Sequence, residues 1–468
     1  METIIFHVDV NSAFLSWSAV KRLKEDSEAV DLRTIPSAVG GDVETRHGII
    51  TAKSIPAKKF GIKTGEPVVK ALQKCPSLVL VKSDFTTYRE YSRAFIRILR
   101  EYSSVVEQVS IDEAYMDMSE GKTLVSFDHE NISSILNIAG RLKDAIRERL
   151  GFTVNVGVSV NRILAKMASD FEKPDKVHTL LPEEVPSKMW PLPIGELHGC
   201  GRQTAAKLSR LGIRTIGEAA GTPLSLLQSY LGEKAGEYIF LRCNGIGSDV
   251  LQTEAEEAKS YSNETTTAFD IDRNNYDKAV PEILSHLCRK VSERLLKDGV
   301  FASTIGVMVK TDQFQRHSRQ KTLERSVNDF ESLYRHSKEL LSGLTREKDG
   351  LFDRGYALRL IGVSASSLDK GEFRQMDLFD YLSAAPSPPD VPGPAADSSP
   401  VGSRPRPQDT LSADTNTKIK KKPPRTRSGK AENIKHSREK TETEKRLNEM
   451  VEKIRRSYGV DSIHKGFS

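Results

Sequence analysis

Cysteine is scarce. The 468 residues hold four, Cys75, Cys200, Cys243 and Cys288, scattered and without a CxxC pair. That spacing suggests neither a zinc site nor a disulfide framework, and a reducing, cytoplasmic setting is the expectation. Long apolar runs are missing too. None approaches the ~20 residues needed to cross a bilayer, so a membrane is not an expected partner. The opening Met1-Glu2-Thr3-Ile4 has no basic start ahead of an apolar stretch, and a signal peptide is not expected. There are no internal repeats. A chain of this length should form several domains.

Excess charge is also missing from most of the chain. Residues 384–468 carry 18 Lys+Arg against 11 Asp+Glu, which leaves 52 against 53 in residues 1–383. The net charge of +6 therefore belongs to the tail. Overall charge cannot support nucleic-acid binding by the folded part, and local patches must do so. From Ala384 to about Ser437 the chain is rich in Pro, Ser, Lys and Arg with almost no aromatics. Such a segment is expected to be disordered, with a possible short charged helix at 442–458.

What is present is periodic. Thr3 to Val10 reads as a buried strand and Asn11 to Lys24 as a helix. Val105 to Met118 reads as two short strands around Ile111-Asp112-Glu113. In Ile132 to Leu150, apolar residues recur at helical spacing and Gly151 closes the helix. Phe152, Val154, Val156, Val158 and Val160 alternate as in a strand. Asn161 to Lys173 is a second helix, stopped by Pro174. Strands mixed with two helices fit a split βαβ, ferredoxin-like sheet. Val39 to Asp84 should form an inserted lobe of strands and turns, and Pro186 to Gly245 a small helical unit. A second α+β domain follows, with strands at Thr265–Phe269, Thr304–Lys310 and Tyr356–Val363 and helices at Ala279–Lys297 and Asp329–Leu344.

Two acidic signals carry chemistry. Asp9 ends the first buried strand, where a carboxylate is costly unless paired or bound to metal. Asp112 and Glu113 are adjacent in an otherwise apolar hairpin. Neighbouring strand residues point to opposite faces, so the two can share a site only if the backbone bends or Glu113 reaches around an edge. Three acids from two strands can cage hard divalent cations. They can equally be ordinary strand-end and turn acids. The residues alone leave both readings open.

The string Asp9-Val10-Asn11-Ser12-Ala13-Phe14 with Ser110-Ile111-Asp112-Glu113-Ala114-Tyr115 closely resembles the Y-family DNA polymerases of the bacterial polymerase IV kind. So do Val156-Gly157-Val158-Ser159, Asn161, Ala165-Lys166-Met167-Ala168-Ser169-Asp170 and Lys173-Pro174. Matching features run in the family's order from residue 3 to about 380. The resemblance implies a palm (1–185) with fingers inserted at about 26–84, a thumb (186–252), a little finger (253–370) and a clamp-binding peptide (371–383). It implies a low-fidelity enzyme extending primers across damaged DNA, using deoxynucleoside triphosphates and two Mg²⁺ ions, and acting as a monomer. Asp9, Asp112 and Glu113 would be catalytic metal ligands, with the Val10 carbonyl as a further ligand. Two such ions about 4 Å apart would activate a 3′-hydroxyl and stabilise leaving pyrophosphate. Phe14 would be the steric gate against ribonucleotides, and Lys173 would touch the triphosphate.

One functional stretch departs from the pattern. The family usually has a Tyr and, three residues later, an Arg before Lys-Phe-Gly. Here Ile55 stands for the Tyr and Lys58 for the Arg. Ile55 cannot donate a hydrogen bond, and Lys58 lacks the Arg fork. Lys58 is expected to bind nucleotide and Ile55 to pack, with Lys53 or Lys59 as alternative phosphate partners.

Three further features resemble DNA- or partner-binding parts of the family. Leu197-His198-Gly199-Cys200-Gly201 resembles a helix-hairpin-helix whose Gly199 and Gly201 let backbone N–H groups approach a DNA phosphate. Arg316, Arg319 and Lys321 look like a basic edge that follows the template backbone. Gln375-Met376-Asp377-Leu378-Phe379 resembles the peptide that docks on the bacterial sliding clamp, with Gln375, Met376, Leu378 and Phe379 as contacts. The rival readings are a DNA-binding accessory protein with a degraded active site, raised by Ile55 and Lys58, and a metal-dependent nuclease. Intact Asp9, Asp112, Glu113 and Phe14 favour the polymerase, since a steric gate has no purpose in a nuclease. No extra acidic cluster suggests a proofreading exonuclease.

Overall fold

Strand β1 (Ile5–Val10) is buried along its whole length, yet its two faces meet different surroundings. Phe6, Val8 and Val10 enter an apolar core. Ile5, His7 and Asp9 face the other way, toward a helix that supplies Ala165, Lys166 and Ser169. The period of two that makes a strand therefore separates packing from chemistry within six residues. The computed structural model describes residues 3–41, 48–119, 132–253 and 257–371. The docking peptide 375–379, the tail and the helix expected at 442–458 lie outside these described residues.

After β1 come α1 (Ala13–Glu25), β2 (Ser37–Gly40), β3 (Ile50–Lys53), α2 (Ile55–Lys59), α3 (Val68–Lys74), β4 (Val79–Val81) and α4 (Phe85–Tyr102). Then follow β5 (Val105–Gln108), β6 (Glu113–Asp117), α5 (Ile132–Leu150), β7 (Val154–Ser159), α6 (Arg162–Asp170) and β8 (Val177–Thr179). The palm sheet has the order β5-β6-β1-β7-β8. Helices α4 and α5 bury Phe95, Leu99, Leu142 and Ile146 against one face. Helix α6 crosses the other.

Gly157 sets how close α6 comes. A Cβ there would lie 2.0 Å from the Ala165 carbonyl oxygen and 2.5 Å from the Ser169 nitrogen. Only glycine lets that backbone approach. Asn161 caps α6 by accepting from the Leu164 N–H at 2.9 Å, and its amide donates to the Gly245 carbonyl at 2.9 Å. Such a cap stabilises a helix by about 1 kcal/mol. The helix stops at Asp170 rather than at Lys173. A residue before proline is pushed out of helical geometry, and the end falls earlier than the proline alone marks it.

The fingers form a three-stranded sheet, β3-β2-β4, with α2 and α3, so the inserted lobe holds helices besides its strands and turns. The thumb consists of α7 (Arg202–Arg210), α8 (Ile216–Ala220), α9 (Leu224–Leu231) and α10 (Glu233–Cys243). Their core includes Leu208, Ile216, Leu227 and Ile239 and continues into Ile163, Leu164 and Met167 of α6.

The little finger contains β9 (Ser260–Ile271), α11 (Tyr276–Lys297), β10 (Phe301–Thr311), β11 (Arg316–Val327), α12 (Phe330–Thr345) and β12 (Leu358–Asp369). Its sheet is antiparallel, in the order β11-β10-β12-β9. Ile305, Val307, Val309, Ile361 and Val363 form a core with Leu284, Leu287, Leu333 and Leu341 of the two helices. Three strands were expected here. The fourth, β11, is an edge strand facing mostly solvent. Among the described residues, no helix is long and apolar enough to cross a membrane.

Candidate active site

Antiparallel register places Asp9 opposite Glu113 on one side and Asn155 on the other. Asp112 precedes β6 in a tight turn, where the Val109 and Ser110 N–H groups both donate to the Glu113 carbonyl. The backbone bend that the adjacent acids require is thus present. The Val10 N–H donates to the Asp112 carbonyl at 3.0 Å, fastening that turn to the end of β1. Asp9, Val10, Asp112 and Glu113 line one cleft of about 270 Å³ with Ser12, Ala13 and Phe14 of the palm and Thr51, Ala52, Lys53 and Thr64 of the fingers.

Two lysines are seated among the acids. Lys166 Nζ lies 3.2 Å from Asp9, 3.3 Å from Glu113 and 3.4 Å from Asp170. Lys173 Nζ lies 2.8 Å from Asp9 and 2.9 Å from Asp170. Burial pulls both amines down, but the carboxylates, Asp9 foremost, outweigh it and raise them above the ordinary lysine range. Behind Glu113, the fully buried His7 places Nε2 3.4 Å from Oε2 and Nδ1 2.8 Å from the Ser169 hydroxyl. The His7 contact, opposed by burial and reinforced by Lys166, lowers the Glu113 carboxyl to about 2. Burial lowers His7.

Asp112 is the exception. Its side chain is hydrogen-bonded to the Ser110 hydroxyl at 2.6 Å and joins no ion pair among the described residues. Burial, with the like charges of Asp9 and Glu113, raises its carboxyl above the ordinary range. A site of oxygen donors with one uncompensated carboxylate suits a hard divalent cation. As they stand, no three acids, histidines or cysteines among the described residues are grouped to hold one. Lys166 stands between Asp9 and Glu113, and Asp112 is engaged with Ser110.

Phe14 is half-buried on the cleft wall, stacked on Tyr88 with ring centroids 4.6 Å apart. Across the cleft the expectation about Lys58 shifts. Lys58 is exposed on α2 and is not among the lining residues, whereas Lys53 is, with Nζ donating to Thr64 Oγ1 at 3.1 Å. Burial, aided by Lys58, lowers the Lys53 amine. Ile55 was expected to pack but is 49 % exposed, because it is the first residue of the short α2, ahead of the buried Ala57.

Gly199 has φ +88°, and a Cβ on it would meet the Tyr238 ring hydroxyl at 2.3 Å. Gly201, the N-cap of α7, has no neighbour in the way of a Cβ. The basic trio of β11 does not form one patch. Strand alternation sends Arg316 toward Glu264 at 3.8 Å and sends Arg319 and Lys321 toward Glu347 and Glu339 at 3.1 and 3.5 Å. His7 and Lys166 went unassigned in the sequence reading. Lys166 stood inside a quoted motif, but no local pattern says that its amine reaches another strand's carboxylates.

Comparison with known proteins places Asp9, Val10, Phe14, Asp112, Glu113 and Lys166 in one matched segment. Family models described as "impB/mucB/samB family" and its C-terminal domain match residues 8–170 and 258–378. One described as "DNA polymerase-iota, thumb domain" matches 195–247. DNA polymerase IV of Clostridium acetobutylicum is 38% identical over 81% of this chain and 91% of its own. DNA polymerase IV 1 of Bacillus subtilis is 33% identical over 82% and 87%. A solved Y-family DNA polymerase chimera shares the fold, with TM-score 0.64 and 24% identity over 78% of this chain and 98% of that one.

Proposed function

The chain belongs to the impB/mucB/samB family, the Y-family DNA polymerases, and from that membership we propose that the cleft holding Asp9, Asp112 and Glu113 is where its nucleotidyl transfer takes place. The protein is a template-directed, lesion-bypassing DNA polymerase of low fidelity. It acts on DNA and nucleotides and needs divalent metal ions. We assign those ions as two Mg²⁺.

The observation that carries the site assignment is the shared cleft. Three acids, the Val10 backbone and the Phe14 ring line it from the palm, and Lys53 and Thr64 from the fingers. In the reaction a primer 3′-oxygen forms a bond to the α-phosphorus, the bond to the β-phosphate oxygen breaks, and pyrophosphate leaves. Asp9, Asp112 and Glu113 would hold the divalent cations, whose charge would stabilise the attacking and leaving oxygens. Around them, Phe14 closes the space beside the sugar. Lys53, with Lys58 nearby, presents positive charge from the fingers. Lys173 is exposed and can exchange its carboxylates for the triphosphate.

We assign residues 1–185 to the palm with fingers, 186–252 to the thumb, 253–370 to the little finger and 371–383 to the docking peptide. Gly199 and Gly201 are assigned to backbone contacts with a DNA phosphate. Arg316 is assigned to the template strand from one face of β11, and Arg319 and Lys321 from the other. Gln375, Met376, Leu378 and Phe379 are assigned to the sliding clamp, and the enzyme to the cytoplasm as a monomer. Primer extension tests the centre of this reading. Asp9→Asn and Asp112→Asn should each lower extension by orders of magnitude while DNA binding persists, and near-normal extension by both would remove the metal site.

A further inference from the structure

Lys166 is an unusual lysine. It is 6% exposed, on a helix held tight to the sheet by Gly157. Lysine is rarely this buried without a partner to keep its charge. Its partners are three carboxylates, at 3.2, 3.3 and 3.4 Å. Strong charge-assisted bonds are shorter, about 2.7–2.9 Å, as Lys173 makes to Asp9 at 2.8 Å and to Asp170 at 2.9 Å. Lys166 is not clamped to one acid but shared among several. Two of these, Asp9 and Glu113, are register partners on neighbouring strands, and their side chains would repel each other without a cation between them.

We propose that Lys166 is a positioning residue, an internal counter-cation that holds Asp9 and Glu113 in place in the metal-free protein and competes with the divalent ion for them. The inference rests on the assignment of these acids as metal ligands. A divalent cation alone then binds weakly, because it must first part the ammonium from the pair. Asp112, which joins no ion pair among the described residues, is the acid left to receive it. Binding improves when nucleotide brings anionic oxygens of its own.

The test uses Mn²⁺ as probe with the full chain, without DNA or nucleotide, counting free Mn²⁺ by its electron paramagnetic resonance signal. Lys166→Met keeps the chain length and removes the charge. It should bind Mn²⁺ at least about tenfold more tightly than the parent, since a unit charge a few ångströms away has been removed. It should also melt at a lower temperature in EDTA and recover with Mg²⁺, a dependence that the parent shows less. Affinity equal to or weaker than the parent's overturns the proposal. If Lys166→Met does not fold, the parent carries the test through reductive methylation of Lys166, read by mass spectrometry. Saturating Mn²⁺ should increase its modification, and an unchanged extent overturns the idea. Asp9→Asn separates the two layers. If it leaves Mn²⁺ affinity untouched, the metal-site reading itself fails. If it abolishes binding while Lys166→Met changes nothing, only the counter-cation is lost.

Discussion

Phe14 lies nearly parallel to Tyr88, the ring planes 12° apart and the centroids 4.6 Å apart. Tyr88 is fully buried, and its hydroxyl sits 2.9 Å from that of Ser18, one turn along α1 from Phe14. Phe85 packs edge-on against both rings, 5.8 Å from Phe14 and 5.7 Å from Tyr88. The ring on the cleft wall is therefore braced from behind.

Phe14→Ala should admit ribonucleotides, because a 2′-hydroxyl no longer meets a ring. It should also cost about 1–3 kcal/mol of stability, less than a fully buried phenylalanine would. Tyr88→Leu, which leaves Phe14 in place but removes its support, should weaken sugar discrimination by a smaller factor. The measurement is the ratio of deoxy- to ribonucleotide incorporation. An unchanged ratio in Phe14→Ala would assign that ring to packing alone.

Lys53 and Lys58 should differ. Removing a cation that meets phosphate directly loses a charge-assisted contact of about 1.5 kcal/mol, roughly tenfold in binding. Lys53→Ala should raise the nucleotide KM by about that factor and Lys58→Ala by less. The reverse order in steady-state kinetics would return the phosphate contact to Lys58.

Glu113 and Asp112 should respond to pH with opposite signs in EDTA. The folded-state pKa of Glu113 falls from 4.5 to about 2. Its charge therefore stabilises the folded chain above the ordinary value, and that contribution is lost as pH falls toward about 2. Glu113→Gln should be less stable than the parent at pH 6, with the gap closing toward pH 3. Asp112 is raised, chiefly by burial, so ionising it costs stability as pH rises. Asp112→Asn should leave the melting temperature unchanged or higher at neutral pH. Denaturation curves across this range decide both signs.

The docking peptide calls for a functional separation. Met376, Leu378 and Phe379 supply apolar anchors, and burying two is worth about 3–6 kcal/mol gross. Ordering the segment takes part of that back, so the isolated peptide should bind a sliding clamp at about micromolar strength. Leu378→Ala with Phe379→Ala should leave distributive extension on a bare primer intact and abolish stimulation by the clamp. Undiminished stimulation would place the contact elsewhere.

Sequence reading succeeded where one local period governs one element. Helix α5 spans Ile132–Leu150, the range read from its apolar spacing, and β7 lies inside the alternating valine run. It failed at β11, whose Arg316-His317-Ser318-Arg319-Gln320-Lys321 has no apolar face because an edge strand facing water needs none. Ile55 misled for a related reason: as the first residue of a five-residue helix it stays 49 % exposed. Asp9, Asp112, Glu113 and Phe14, which line one cleft, were picked out through motifs. Lys166 and His7 behind them were not, since the links from Lys166 to Asp9 and from His7 to Glu113 join residues more than a hundred positions apart.

The absent side chain at Gly157 has a consequence for heredity. Any replacement there must push α6 away from the sheet, carrying Lys166 off the carboxylates and Asn161 off its thumb contact in one movement. A library of random variants sorted only for folded protein should already lose position 157. Sorted for primer extension, it should lose Asp9 and Asp112 as well. Comparing the two depletion patterns would divide the palm's intolerant positions into those that chemistry forbids and those forbidden by spacing alone.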